Sequence, residues 1–396
     1  MKGGDINVSS SFLIQKFSKE YSTINFDLPV FNRETATSLS EARRLLAATS
    51  VGNYALFGGG YVNSSTVSDI VDAYNTSLTR TTPTVLSVGR SNLSTASIGN
   101  YALIGGGRTR TSYYSNIVDA YDTSLTRSTP TPLSESKYLL SATSIGNYAL
   151  FGGGRIDAST PYSDVIDAYD NSLTRTTPTV LSQARSNLAA TSNSNYALFG
   201  GGYIGSASNV VDAYDSNLTR STPTALHVAK YNLLATHVGN YALFGFGSNV
   251  VDAYDNNLTR TTPTFFITVR SSLAATSIGN YALFGGGRYD SSSFDVVDVC
   301  DSNLTISTTT ALSVARYELV STTIGNYALF GGGQDGSTNF DTVDAYSFKR
   351  YTIQVYPGTK YKFSNMPSEL TSNTFQEINI TGQPKGYIKI KNSNIN

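Results

Sequence analysis

Tryptophan is missing from this chain, and cysteine, methionine and histidine nearly so, at one, two and two residues among 396. A single cysteine, Cys300, excludes an internal disulfide framework. It stands where sister segments of the form Val-Asp-Ala-Tyr carry tyrosine, so it reads as a buried, inert strand thiol rather than a nucleophile. The two histidines, His227 and His237, are ten residues apart at the ends of one short apolar run. Ten extended residues reach about 33 Å, so the pair does not converge on one ion. No metal and no cofactor is expected.

Charge is sparse too. Lys+Arg and Asp+Glu each number 28, giving no net charge. That excludes the basic footprint of a nucleic-acid binder and a polybasic attraction to anionic membrane. No stretch is long and apolar enough to span a bilayer. The N-terminus, Met1-Lys2-Gly3-Gly4-Asp5-Ile6-Asn7, lacks the apolar core of a signal peptide. A chain made in the cytoplasm is expected, leaving it by some other route.

What is present repeats. Asn-Tyr-Ala-Leu-(Phe/Ile)-Gly occurs seven times, with tyrosines Tyr54, Tyr101, Tyr148, Tyr196, Tyr241, Tyr281 and Tyr327, spaced by 47, 47, 48, 45, 40 and 46 residues. A period in that range marks a propeller, solenoid or array, and one such array is a single closed body. Within the first copy, Leu45–Ser50 and Tyr54–Phe57 flank the turn signal Gly52-Asn53 and read as a hairpin. Gly58–Gly60 end the second strand, where a Cβ would clash with close-packed backbone. They do not cradle a phosphate, since no Gly-Lys-Ser/Thr follows. Ile70–Tyr74 reads as a third strand and Leu78–Thr84 as a fourth, with Pro83 tolerated on an outer strand. Four short antiparallel strands per repeat make a propeller blade.

Seven second strands are followed by seven third strands, marked by Asp72, Asp119, Asp167, Asp212, Asp252, Asp298 and Asp344. Only six fourth strands follow, beginning at Leu78, Leu125, Leu173, Leu218, Leu258 and Leu304. The missing one lies at the other end of the chain. Residues 31–43 superpose without a gap on residues 78–90, so Phe31–Thr37 is predicted to close the ring as the outer strand of the last blade.

The pattern resembles the kelch family of β-propellers over residues 30–346. It shares an apolar strand ending in a glycine doublet and a tyrosine on the next strand. It departs where leucine (Leu78 and its equivalents) holds the family's tryptophan position. The near-identity of the blades, with the Ser/Thr/Asn/Tyr bias, is similar to tail-fibre and receptor-binding proteins of phages and phage-tail-like bacteriocins. That resemblance implies assembly in the cytoplasm, residence in a virion or tail-like particle, and release by lysis.

The connections between strands two and three vary in length and sequence. They share one rim with the links between blades, and loops on a rigid scaffold are the usual place for binding. They carry Tyr61; Arg108, Arg110, Tyr113 and Tyr114; Arg155 and Tyr162; Tyr203; Arg288 and Tyr289; and Gln334. The fifth is cut to Ser248-Asn249. Tyr138, Tyr231 and Tyr317 join this rim from the lead-ins to inner strands. Tyrosine among short polar residues gives stiff, amphipathic contact area, so these residues are the candidate ligand-binding set. Drift of unselected loops is the competing explanation.

A ring of bases also repeats: Arg43, Arg90, Lys137, Arg185, Lys230, Arg270 and Arg316. They either converge on the central channel to hold an anion or pair with the repeated aspartates, and pairing is favoured because buried charge is kept only when compensated. Arg80, Arg127, Arg175, Arg220 and Arg260 are expected to face solvent or an acidic neighbour. Some kelch-like propellers are copper oxidases or hydrolases, but no nucleophile–base constellation is present. Glu41 and Glu135 both reach the variable rim from blades that are not neighbours, whereas a glycosidase pair sits about 5–9.5 Å apart.

The expected fold is therefore all-β: a seven-bladed kelch-like β-propeller over residues 30–346, closed by an N-terminal strand. Residues 1–29 form an attachment segment in which Phe12–Ile14 and Ile24–Phe26 are docking strands. Residues 347–396 form a small C-terminal β appendage, with strands at 351–355, 375–380 and 386–391. The expected function is a non-enzymatic binding module for a cell-surface glycan or protein, carried by a phage-type particle. A decoration subunit and a glycan-active enzyme are the alternatives. Other particle subunits, or further copies of the chain, would dock through the ends.

Overall fold

A computed structural model describes residues 5–7, 22–112, 114–156, 161–245, 250–263, 269–355, 362–364, 377–379 and 387–389. In the first blade Ala47–Val51, Tyr54–Gly58, Val71–Asn75 and Arg80–Thr81 pair in chain order as one antiparallel sheet. The inner strand alternates buried and half-buried residues, one face lining the ring's interior. The two middle strands are buried on both faces, because each blade stacks on a neighbour at either side. Five further sheets repeat this plan.

The seventh sheet has the order Ser22–Thr35, Val343–Val355, Tyr327–Gly331, Val320–Ile324. Its outer strand comes from the N-terminus, and the residues fall in the register the sequence offset predicts. Phe31 is buried. Arg33 takes the place of Arg80, its Nε 3.9 Å from Asp344. The Thr37 carbonyl accepts the Tyr74 hydroxyl at 2.7 Å, just as the Thr84 carbonyl accepts that of Tyr121 at 2.8 Å. This is a seven-bladed β-propeller with a closed ring.

Contacts between blades explain why the repeat repeats. A Cβ on Gly105 would lie 2.8 Å from Phe151 of the next blade, and one on Gly331 would lie 2.7 Å from Phe57, across the closure. On the far rim, the hairpin between strands one and two packs against the turn between strands three and four of the next blade. Gly52 faces Thr123 there, and Gly325 faces Thr76. The near-invariant short turns are thus occupied in holding neighbours together.

Two boundaries differ from the sequence expectation. Outer strands are two residues long in the first five blades, Arg80–Thr81 standing for the expected Leu78–Thr84. The preceding leucine belongs to the turn, where it adopts a left-handed conformation (φ 59° at Leu78, 62° at Leu125). That conformation costs about 1–2 kcal/mol for a residue with a Cβ. Packing offsets the cost, since Leu125 sits among Val51, Ala73 and Ile104, between the first and second blades. Leucine therefore fills space between neighbouring blades.

The inner strand starts at Ala47 rather than Leu45, because Leu45 is also left-handed (φ 51°). Its counterparts Asn92, Leu139, Asn187, Asn232, Ser272 and Glu318 share that geometry. Backbone bonds link successive ones: Leu45 N–H donates to the Glu318 carbonyl, Asn92 to Leu45, Asn187 to Leu139, Asn232 to Asn187, and Glu318 to Ser272. This belt of amides joins blade to blade and spans the closure.

The chain divides into two compact units, Arg33–Ser347 and Met1–Asn32 with Phe348–Asn396. In the latter, Asp5–Asn7 pairs in parallel with Lys362–Ser364, and Glu377–Asn379 pairs antiparallel with Tyr387–Lys389. The expected strand at Phe12–Ile14 lies outside the described residues, and Ile24–Phe26 falls within the closing strand. Among the described residues, no helix is long and apolar enough to cross a membrane.

Candidate functional site

The ring of bases is not a channel site. Arg43 Nη2 bonds Asp72 Oδ2 within its own blade, both side chains fully buried, while Nη1 donates to the carbonyls of Gly59 and Ile70. Arg90–Asp119, Lys137–Asp167, Arg185–Asp212, Arg270–Asp298 and Arg316–Asp344 repeat the pair. Arg80 binds the second oxygen of Asp72 at 3.0 Å, as do Arg127, Arg175 and Arg220 in their own blades. Each such aspartate thus sits between two cations, which compensates its burial. Burial holds the guanidinium pKa of Arg43 and Arg90 below the ordinary value. In the sixth blade Ile306 replaces the outer arginine, and burial raises the Asp298 pKa.

The two histidines are both exposed and far apart in role. His237 projects from the inner strand onto Ser277 of the next blade, with Nε2 2.9 Å from the hydroxyl. Neighbouring strands partly desolvate the ring, and this lowers its pKa. The His227 N–H bonds Asp252. Among the described residues no cluster of histidine, cysteine and carboxylate converges. Glu41 and Glu135 accept from the buried hydroxyls of Ser68 and Ser163, at 2.8 and 2.5 Å.

What remains is the variable rim. The first residue of six of the variable loops forms an isolated backbone bridge to the lead-in of its own blade: Arg44 with Tyr61, Ser91 with Arg108, Tyr138 with Arg155, Ser186 with Tyr203, Ser271 with Arg288, and Tyr317 with Gln334. Loops and lead-ins therefore share one rim, fixed at the root of each loop. Side chains then join neighbouring blades. Tyr114 meets Tyr138 with ring centroids 5.6 Å apart; Tyr162 meets Tyr203 at 5.9 Å, and Tyr203 meets Tyr231 at 5.2 Å. Arg288 lies over the Tyr317 ring at 4.7 Å.

Tyr289 is 62 % exposed and Tyr231 50 %, and Arg110 and Arg288 are also exposed. Tyr61, Arg108, Tyr114, Tyr138, Arg155, Tyr162, Tyr203 and Gln334 are half-buried. Tyr317 is buried beneath Arg288, so it supports the rim instead of facing solvent. Tyr113 and the shortened fifth loop lie outside the described residues.

Sequence reasoning passed over two rim residues, Arg44 and Glu318. Arg44 Nη1 donates to Glu318 at 2.7 Å and lies 5.5 Å above Tyr61, while Gln334 binds the same carboxylate oxygen at 2.7 Å. Asn339 donates to the carbonyls of Tyr61 and Val62 at 3.0 and 2.8 Å. These bonds tie blade seven to blade one. The signal was in the repeat: Arg44 and Glu318 stand at positions held by Ser91 and Asn92 in the second blade.

Sheet order and closure define the class of protein, a seven-bladed β-propeller. No protein-family profile and no curated protein matches the chain. Among solved structures it is similar to that of YjhT, with a TM-score of 0.51 at 11 % identity, covering 82 % of this chain and 98 % of that one. At that identity the likeness speaks to the fold alone.

Proposed function

We propose that this propeller is a non-enzymatic binding module that engages a bacterial cell-surface glycan or protein through its variable rim, as part of a phage or phage-tail-like particle. The observation that carries the reading is the contrast between the two rims. On one, repeated turns are used up in holding blades together. On the other, the repeat breaks, and tyrosines and arginines stand half-open on loops braced at their roots. Stiff aromatic area with adaptable polar neighbours is what recognition loops use.

The kelch-like character rests on the glycine and tyrosine pattern, with leucine where that family has tryptophan. The particle assignment rests on the blade similarity and the Ser/Thr/Asn/Tyr bias. Residues 1–29 and 347–396 are the proposed docking segments.

Serine at Tyr113, Tyr114, Tyr203 and Tyr289 together should abolish adsorption of otherwise intact particles to host cells. Undiminished adsorption would sink the reading. Failure of particles to assemble would favour a structural subunit. Sugar release from purified cell wall, lost on changing Glu41 or Glu135, would favour a glycan-active enzyme.

A further inference from the structure

The rim is chemically lopsided. On the side of blades six and seven it carries Asp290, Asp295, Glu318, Asp335 and Asp341. On the side of blades four and five, the variable loop 201–210 has no charged residue at all. The lead-in 222–233 has one amine, Lys230, which turns onto the Val250 carbonyl. The lead-in 177–188 has only Arg185, buried against Asp212. Four of the six large apolar or aromatic side chains that stand exposed among the described residues belong to these segments: Val180, Ile204, Val228 and Tyr231.

The segments are in contact. Ser208 bridges Lys230, and Leu226 N–H donates to the Asn209 carbonyl, so the fourth loop lies along the lead-in to blade five. Tyr162, Tyr203 and Tyr231 follow one another across blades three, four and five, each ring edge-on to the next. Edge-to-face packing fixes ring orientation at little entropic cost to a ligand. Ile204, Val228 and Tyr231 thus stand exposed on two segments that touch, and grouped apolar exposure, unlike single scattered side chains, marks a binding surface.

We infer that this sector, centred on Tyr203 and Tyr231, is a subsite for an uncharged oligosaccharide; the inference deepens the proposed rim function and rests on it. Three properties select that class. Aromatic rings offer flat apolar faces to the C–H faces of sugars. The polar groups at hand are hydroxyls and amides, Ser206, Asn209 and Asn232, which both donate and accept as sugar hydroxyls do. Of the two cations in these segments, Arg185 is bound to Asp212 and Lys230 donates to the Val250 carbonyl, so neither is aimed at an entering carboxylate or phosphate, and the acidic residues of blades six and seven disfavour one.

The test is equilibrium binding of the full chain to labelled hexasaccharides: neutral ones of glucan, mannan, galactan and N-acetylhexosamine type, and acidic ones containing uronic acid. Neutral binding should weaken about tenfold or more in Tyr203→Ala and Tyr231→Ala. It should stay within about twofold in Val85→Ala, an exposed apolar change outside the candidate binding set, with Tyr289→Ala measured alongside and all melting temperatures unchanged. Neutral binding lost only in Tyr289→Ala would overturn this subsite and leave the rim reading standing. Exclusive binding of acidic hexasaccharides would overturn the neutral class alone. Cell adsorption that depends on Tyr203 and Tyr231 without binding of any hexasaccharide would overturn the sugar in favour of a protein ligand. Indifference of both binding and adsorption to all three tyrosine changes would overturn the subsite and the rim function together.

Discussion

Single residues that break the repeat make the sharpest predictions. Cys300 is fully buried where six blades have tyrosine, and burial pushes its thiol up to about 12. Thiolate is the reactive form, so iodoacetamide at pH 8 should leave native protein unlabelled and modify it only after denaturation. His237 replaces the serine of sister strands, and desolvation lowers its folded pKa below the ordinary 6.5. The unfolded chain then takes up a proton at higher pH than the folded one. Stability from this group is intact above the unfolded value and is lost as pH falls through it towards the folded one. Melting curves between pH 7.5 and 5 should show a steeper decline for the natural chain than for His237→Ser.

The Arg–Asp pairing was legible at this scale, because a charge repeated inside every blade has to find its opposite there. The left-handed Leu78 and Leu125 were not. Leucine is disfavoured at positive φ, and only the interblade packing that rewards it explains its presence.

Among elements, the hairpin of the fourth blade stands apart. Where its sisters read Ile-Gly-Asn or Val-Gly-Asn, it reads Asn193-Ser194-Asn195. Asn193 Nδ2 donates to the Asp255 carbonyl at 2.9 Å, while its Oδ1 accepts from the N–H groups of Asn195 and Tyr196. Asn195 reaches the Asn256 carbonyl. Side-chain bonds to the next blade thus replace the glycine turn. Asn193→Ala alone should cost about 1–3 kcal/mol by leaving these groups unpaired. Restoring the sister sequence with Asn193→Ile and Ser194→Gly should recover most of that, measured by thermal or denaturant melting.

Strand number and order could be read from spacing and glycine punctuation, and so could the sharing of one rim by loops and lead-ins. Strand lengths could not, since Leu45, Leu139, Ser272 and Glu318 ahead of inner strands, and the leucines ahead of outer ones, lack the glycine or asparagine that signals a left-handed turn. The rim tyrosines were recognisable as departures from the repeat. Which rings meet, and that Tyr317 is covered, depends on distances between blades that spacing along the chain does not encode.

For the whole molecule, the closing strand is the decisive element. Removing residues 1–39 takes away Phe31, fully packed, and Arg33, the second cation of Asp344. Loss of the phenylalanine alone is worth about 3–5 kcal/mol, so the shortened chain should melt well below the full one. Equal melting temperatures would mean that the ring holds without its clasp.

That clasp also fixes an order of events. The strand that finishes the last blade is made first and must wait for residues 343–355, so its pairing has a very large sequence separation and forms late. Near-identical blades would seem to offer it seven docking edges. Six third strands, however, have their own outer strand only a turn away, and that local partner arrives at once. By the time synthesis ends, a single vacancy is left. The correct partner is chosen by elimination and timing, with little need for a distinctive sequence at the join.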